Sequence, residues 1–307
     1  MFLLICGMSI FNSIVTSALP FLPKWFAKPF ARPYVAGENM DEALEQIKTL
    51  NQKGFSATID ILGEHTKTID LASNITNQYC TLYEKIFNES LDCSISVKPT
   101  HVGLDISMSE ALVNLRKIRD KAKEFDNFLR IDMESSKVTD QTIEIFNQIK
   151  PDYSKIGLVM QAYLHRAQSD VEALSNQSFN ARICKGIYNE SKHVAYKSRQ
   201  DIKNNFLILA KHMASKGSFC AYATHDQDLI NDLLEWIRAE KIHSELFEFQ
   251  VLYGVPMNGR LEELINKGFK VRVYVPFGPD WYDYSLRRLN ENPKIASYVI
   301  GNLLKSA

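Results

Sequence analysis

The chain has 307 residues, 45% of them hydrophobic and 23% charged, and its 36 basic residues balance 36 acidic ones. This is the composition of an ordinary globular protein with a sizeable core, built as one large domain or two smaller ones. With no net charge there is no global field to attract nucleic acid, so an anion site has to be local. The five cysteines, Cys6, Cys80, Cys93, Cys184 and Cys220, are odd in number and widely spaced, without a C-x-x-C pair, which fits a reducing compartment rather than a disulfide framework or a metal site.

In chain order, the first feature is the stretch "MFLLICGMSIFNSIVTSALPFLPKWF", which has no charged side chain before Lys24. A secretory signal carries positive charge ahead of its apolar run, and this one does not. Ser9, Asn12, Ser13, Thr16 and Ser17 interrupt the run, and Pro20 ends any helix in it. It reads as an apolar helical arm that packs on the protein itself, a partner or a bilayer surface; a true span or a removed segment are the alternatives. Residues 1–50 are taken as this arm with a lead-in helix, and residues 51–307 as the main domain.

After the arm, short β-branched or aromatic runs alternate with amphipathic stretches of helical period. The predicted strands are "FSATIDIL" (55–62), "CSISVKP" (93–99), "FLRIDM" (128–133), "KIGLVMQAY" (155–163), "FNARICKGIY" (179–188), "FCAYATH" (219–225), "LFEFQVLYGV" (246–255) and "KVRVYVPFG" (270–278). Predicted helices include 109–125, 138–149, 198–215 and 226–241, several opening on a Ser, Thr or Asp where an N-cap belongs. Strict alternation implies parallel strands, and eight units over about 250 residues is the size of a closed (β/α)8 barrel. No G-x-G-x-x-G follows a strand, so a dinucleotide fold has no support.

In such a barrel the C-terminal strand ends meet at one mouth, where chemistry is built. They bring Glu64, Lys98, Asp132 and Glu134, Gln161 and Tyr163, Arg182 with Lys185 and Tyr188, Thr224 and His225, Tyr253 and Tyr274. This much polarity needs partners. Lys98, between Val97 and Pro99, is desolvated on its apolar side and invites an anionic partner. Beyond the eighth strand, "WYDYSLRRLNENP" places Tyr284, Arg287, Arg288 and Glu291 at i, i+3, i+4 and i+7, one helix face starting at the same mouth. Two adjacent guanidiniums can hold a small carboxylate from two sides, with Lys98 as a third cation.

At this point the segments "SVKPT", "LRIDME", "LVMQAY", "ARICKGIY", "YATHD", "FQVLYGV", "VYVPFG" and "YSLRRLNEN", with "ARPYVAG" and "LGEHT" before them, resemble the successive motifs of the proline dehydrogenase family over about residues 31–293. The resemblance implies a distorted (β/α)8 barrel with noncovalent FAD at its mouth and oxidation of L-proline to Δ1-pyrroline-5-carboxylate. It implies that Arg287, Arg288 and Lys98 bind the substrate carboxylate, that Tyr274, Tyr284 and Glu291 wall the pocket, and that Glu64 closes it. Asp132 and Arg182 take the catalytic-site roles, and Met133, Gln161, Arg182, Cys184, Lys185, Gly186, Ile187, Tyr188, Thr224 and His225 contact FAD.

It also implies a membrane quinone as electron acceptor, a cytoplasmic protein with peripheral membrane contact, and a separate pyrroline-5-carboxylate dehydrogenase for the second step, since no aldehyde-dehydrogenase segment follows Ala307. The pattern departs at "KGIYN", where Ile187 replaces a small residue and Asn189 stands where Trp is common, on the adenosine side of the cofactor. Hydroxyproline oxidation, a silent amino-acid-binding barrel and another flavin barrel use overlapping features. Room beside Tyr274, the joint presence of Lys98, Asp132, Arg182 and the arginine pair, and a nicotinamide oxidation assay distinguish them.

Overall fold

The computed structural model describes residues 32–282, 284 and 285. The apolar arm, Arg287, Arg288 and Glu291 lie outside these described residues, and so do the expectations placed on them.

Eight parallel strands close into a barrel in sequence order: β1 Ser56–Ile61, β2 Cys93–Val97, β3 Leu129–Ile131, β4 Ile156–Gln161, β5 Asn180–Cys184, β6 Phe219–Ala223, β7 Phe247–Leu252 and β8 Val271–Phe277. β1 pairs with β8 in register from Ser56↔Arg272 to Ile61↔Phe277, which closes the ring. The helices are α1 Met40–Gln52, α2 Ile69–Asn88, α3 Met108–Glu124, α4 Thr139–Ile149, α5 Ala167–Leu174, α6 Arg199–Ser215, α7 Gln227–Ala239 and α8 Arg260–Asn266. Thr68, Ser107, Ser198 and Asp226 each accept a backbone N–H at a helix start, so those starts are fixed by local chemistry. Every predicted strand and quoted helix is present, with ends within a few residues.

The strands alternate in an unusual sense. Ala57, Ile59, Ile95, Val97, Leu129 and Ile131 are fully buried apolar residues, while the residues between them, Thr58, Asp60, Ser94, Ser96, Arg130 and Asp132, are buried and polar. Strand alternation puts the two sets on opposite faces. Here the apolar set meets the helices, and the polar set fills the bore that branched aliphatic side chains occupy in most such barrels. The interior is therefore satisfied by hydrogen bonding rather than by dispersion alone, and this brings charge to the mouth.

α1 packs on both β1 and β8 and so covers the seam where the ring closes, with Ala43, Leu44 and Ile47 buried against it. The chain before α1 is tied to the same place: Ala36 N donates to Pro276 O at 2.9 Å and Gly278 N to Gly37 O at 3.1 Å. The described residues after β8 contribute Asp280 and Tyr284 to the mouth. Among the described residues no helix is long and apolar enough to cross a membrane.

Candidate active site

A cavity of about 620 Å³ opens at the C-terminal ends of the strands. That lies within the ~300–1,000 Å³ typical of small-molecule sites. The expected residues converge on it from all sides. Glu64, Lys98, Asp132 and Met133 come from the first three strand ends, and Gln161, Arg182 and Cys184 from the fourth and fifth. The turn after β5 adds Lys185, Gly186, Ile187 and Tyr188, and β6, β8 and the chain beyond add Thr224, His225, Tyr274 and Tyr284. Glu134, Tyr163 and Tyr253 are not in the wall.

The wall also holds Asp60, Asp226, Asp280 and Gln250, which the strand-end reading missed. Asp60 and Gln250 sit before the strand end, where only the two-residue period places a side chain in the bore. Counting back by two from Leu62, the expected end of the first strand, would have found Asp60; the seventh strand was expected to run to Val255, whose parity leads to Val251 instead of Gln250.

Asp60 is the anionic partner that Lys98 was expected to need: Lys98 Nζ donates to Asp60 Oδ2 at 2.6 Å, and Asp60 is 1% exposed. Burial alone would lower the Lys98 pKa, but the Asp60 and Asp132 carboxylates outweigh it and hold the ammonium above its usual value. The cation is fixed at the cavity rather than free to leave it.

The opposite cluster centres on Asp132. Its Oδ1 accepts from Ser96 Oγ at 2.5 Å and Arg182 Nη1 at 2.8 Å, and its Oδ2 accepts from the Tyr274 hydroxyl at 2.9 Å. Burial, followed by the Asp132 and Asp60 charges, pushes the Tyr274 phenol well above its ordinary pKa, so it remains a donor. Arg182 lies with its guanidinium carbon 4.9 Å from the centre of the Tyr274 ring and donates through Nε to Gln250 Oε1 at 2.6 Å. Among the described residues, Arg182 Nη2 and Gln161 Oε1 are buried without a hydrogen-bond partner. One donor and one acceptor are thus left over among residues of the wall.

The remaining rim is shaped by backbone. Gly186 has φ +101°, and a Cβ there would stand 2.2 Å from the Tyr163 ring, so the turn after β5 can approach its neighbour only as glycine. Lys185 Nζ donates to Asp226 Oδ2 at 2.5 Å, and Asp226 caps α7, which joins the β5 and β6 sides of the mouth. His225 Nε2 accepts from Leu252 N at 2.9 Å, which holds its ring against β7.

A closed (β/α)8 barrel with charged side chains converging on one cavity at its mouth is the architecture of a barrel enzyme acting on a small polar molecule. The description "Proline dehydrogenase" belongs to the family model that matches residues 43–300. Proline dehydrogenase 1 of Bacillus subtilis subsp. natto is 38% identical over 91% of this chain and 94% of its own length. Proline dehydrogenase of Deinococcus radiodurans is 32% identical over 90% of each chain. The crystal structure of proline utilization A from Bdellovibrio bacteriovorus superposes with a TM-score of 0.81 at 24% identity, covering 92% of this chain and 35% of that one, and shows the same fold. The chain belongs to the proline dehydrogenase family, oxidoreductases of proline catabolism.

Proposed function

We propose that the protein oxidises L-proline to Δ1-pyrroline-5-carboxylate with noncovalently bound FAD and passes the electrons to a membrane quinone. The observation that carries this reading is Arg182, whose Nε and Nη1 are fixed by Gln250 and Asp132 while Nη2 has no partner among the described residues. With the unpartnered Gln161 Oε1, it leaves a donor and an acceptor that suit a ring system carrying both along its edge. Met133, Gln161, Arg182, the segment 184–188, Thr224 and His225 would hold that cofactor. When bound, FAD supplies the two-electron acceptor at its N5.

The protein's own task is to hold the proline ring carbon next to nitrogen within reach of that acceptor. Arg287, Arg288 and Lys98 are assigned to the substrate carboxylate. Lys98 suits the role because Asp60 keeps it charged and in place. Tyr274, Tyr284 and Glu291 are assigned to the pocket wall, and Glu64 to its closure. Asp132 is assigned to anchoring: its hydrogen bonds from Ser96, Arg182 and Tyr274 fix the arginine and the phenol together. Arg182 would place positive charge beside the bound cofactor and so favour its reduced, anionic form. The second oxidation falls to a separate pyrroline-5-carboxylate dehydrogenase, and the protein works in the cytoplasm with a peripheral contact at the inner face of the membrane. Residues 51–307 form the catalytic domain, preceded by the arm and lead-in helix.

An anaerobic visible spectrum of the purified protein, recorded before and after adding L-proline, tests the reading. Flavin bands that bleach with L-proline and not with hydroxyproline are expected. Bands that stay oxidised would contradict proline oxidation, and a colourless protein that added FAD cannot restore would point to a silent binding barrel.

A further inference from the structure

One hydrogen-bonded chain in the bore runs from below the cavity up to its wall. Glu248 and Gln250 are two residues apart on β7 and so face the same side, and Gln250 lies opposite Arg272 across the β7–β8 ladder. Glu248 is 4% exposed and is not part of the cavity wall. Its Oε1 accepts from Gln250 Nε2 at 2.5 Å and from Arg272 Nε at 2.8 Å. Arg272 in turn donates through Nη1 to Ala57 O at 2.7 Å, which fixes the carboxylate to the β8–β1 seam.

We infer that Glu248 is a positioning residue: it dictates which end of the Gln250 amide faces Arg182, and through that amide it aims the Arg182 guanidinium at the cavity. A primary amide has a donor end and an acceptor end, whereas an ionised carboxylate only accepts and a guanidinium only donates. With Nε2 on Glu248, the carbonyl end of Gln250 has to face Arg182 Nε, as it does at 2.6 Å. The reversed amide would set an NH2 against the guanidinium and an oxygen against the carboxylate, losing both bonds in a buried site. Burial would raise the Glu248 carboxyl, but Arg272 beside it, hydrogen bonds from Arg272 and Gln250, and the Arg130 charge bring it below the ordinary range, so the director is an acceptor at neutral pH. Asp132 fixes only Nη1, about which the guanidinium could still turn; Gln250 supplies the second point.

The inference rests on the proposed role of Arg182 beside FAD. The experiment measures the midpoint potential of the bound flavin, without proline, and kcat and KM for L-proline, in the wild-type holoenzyme, Q250L, E248L/R272M and the triple variant. Removing Glu248 and Arg272 together avoids stranding either member of that ion pair, and Arg130, which also feels Glu248, keeps the Asp132 charge and its bonds to Leu158 and Asn180. Both Q250L and E248L/R272M are expected to make flavin reduction at least tenfold less favourable, a potential lower by about 30 mV for a two-electron couple. The same variants should lower kcat about tenfold while KM stays within threefold.

In the Q250L background the E248L/R272M exchange is expected to add nothing, because Glu248 acts through the amide. E248Q/R272M, which keeps a polar partner for Gln250 without imposing its direction, is expected to shift the potential the same way and serves if the apolar pair does not fold. A flavin-loaded variant of either pair with the wild-type potential, or shifts that add in the triple variant, would overturn the role of Glu248 while leaving proline oxidation standing. Wild-type protein that binds no flavin would overturn both.

Discussion

Asp132 and Glu134 are two residues apart, yet they have different work. Asp132 faces the cavity, whereas Glu134, 2% exposed, accepts from Thr100 N at 2.9 Å and Thr100 Oγ1 at 2.5 Å. Thr100 also accepts from His65 N and Thr66 N, so Glu134 supports the loop that carries Glu64. Burial, only partly offset by the Thr100 bonds and Lys98, raises the Glu134 pKa to about 7. The folded protein therefore binds this proton more tightly than the unfolded chain does. Its contribution is full below the unfolded value near 4.5 and is lost as pH rises through about 7. Glu134→Gln cannot ionise, so its stability relative to wild type is expected to improve by about 3 kcal/mol between pH 4.5 and 7 and to change no further above that. Urea denaturation of both proteins at several pH values measures this; a constant difference would contradict it. His101, buried and lowered to about 3, drives the opposite trend in both proteins and cancels from the comparison.

The site's residues were legible in proportion to their distance from strand ends. Lys98, Arg182 and Tyr274 stood out because charge or a phenol next to an apolar run has to find a partner. Asp60 was hidden inside "ATIDIL", where a carboxylate among β-branched residues looks like ordinary alternation. Glu248 and Gln250 were hidden the same way in "FEFQVL", since a strand whose polar face is the buried one has the same pattern as one whose polar face is wet.

Among the elements, strands were read closely because each is short, apolar on one face and bounded by polar turns, as with β8. α2, α5 and α8 were not singled out; α5 and α8 have 8 and 7 residues, too few turns for a clear helical period. The turn after β5 is an element with a single permitted residue. Gly186→Ala is expected to destabilise the protein by on the order of 1–3 kcal/mol, through both its φ and the Tyr163 ring. Gly268→Ala, also at positive φ but with nothing within 4 Å of its Cβ, isolates the backbone part, and equal urea midpoints for the two variants would show that the contact with Tyr163 costs nothing. For α1, Ile47 is fully buried on the seam, so Ile47→Ala is expected to cost about 2–5 kcal/mol in equilibrium unfolding. A change below 0.5 kcal/mol would mean that the seam does not need the helix.

At the scale of the whole molecule, the barrel departs from the common arrangement on one face: apolar residues meet its helices as usual, while hydrogen-bonded polar and charged side chains fill much of its bore. Arg130 shows the cost of that choice. Its guanidinium donates to Leu158 O, Asn180 O and Asn180 Oδ1, and it fits only because residue 157 is Gly, where a Cβ would come within 2.3 Å of Nη1. Composition alone could not reveal this, because the same residues distributed over a wet surface would give the same percentages.

The seam has a further consequence, for synthesis. α1 emerges among the first described elements, but its buried face needs β8, more than 200 residues later in the sequence. β1 likewise waits for the same strand to cover its free edge. During vectorial synthesis the growing chain therefore exposes the free edge of β1 and the part of α1 that packs on β8 until β8 has been made, the long-range pairing that makes such topologies slow to fold. Ring closure is then a late, cooperative event, and the interval before it is when the nascent chain has most need of a chaperone.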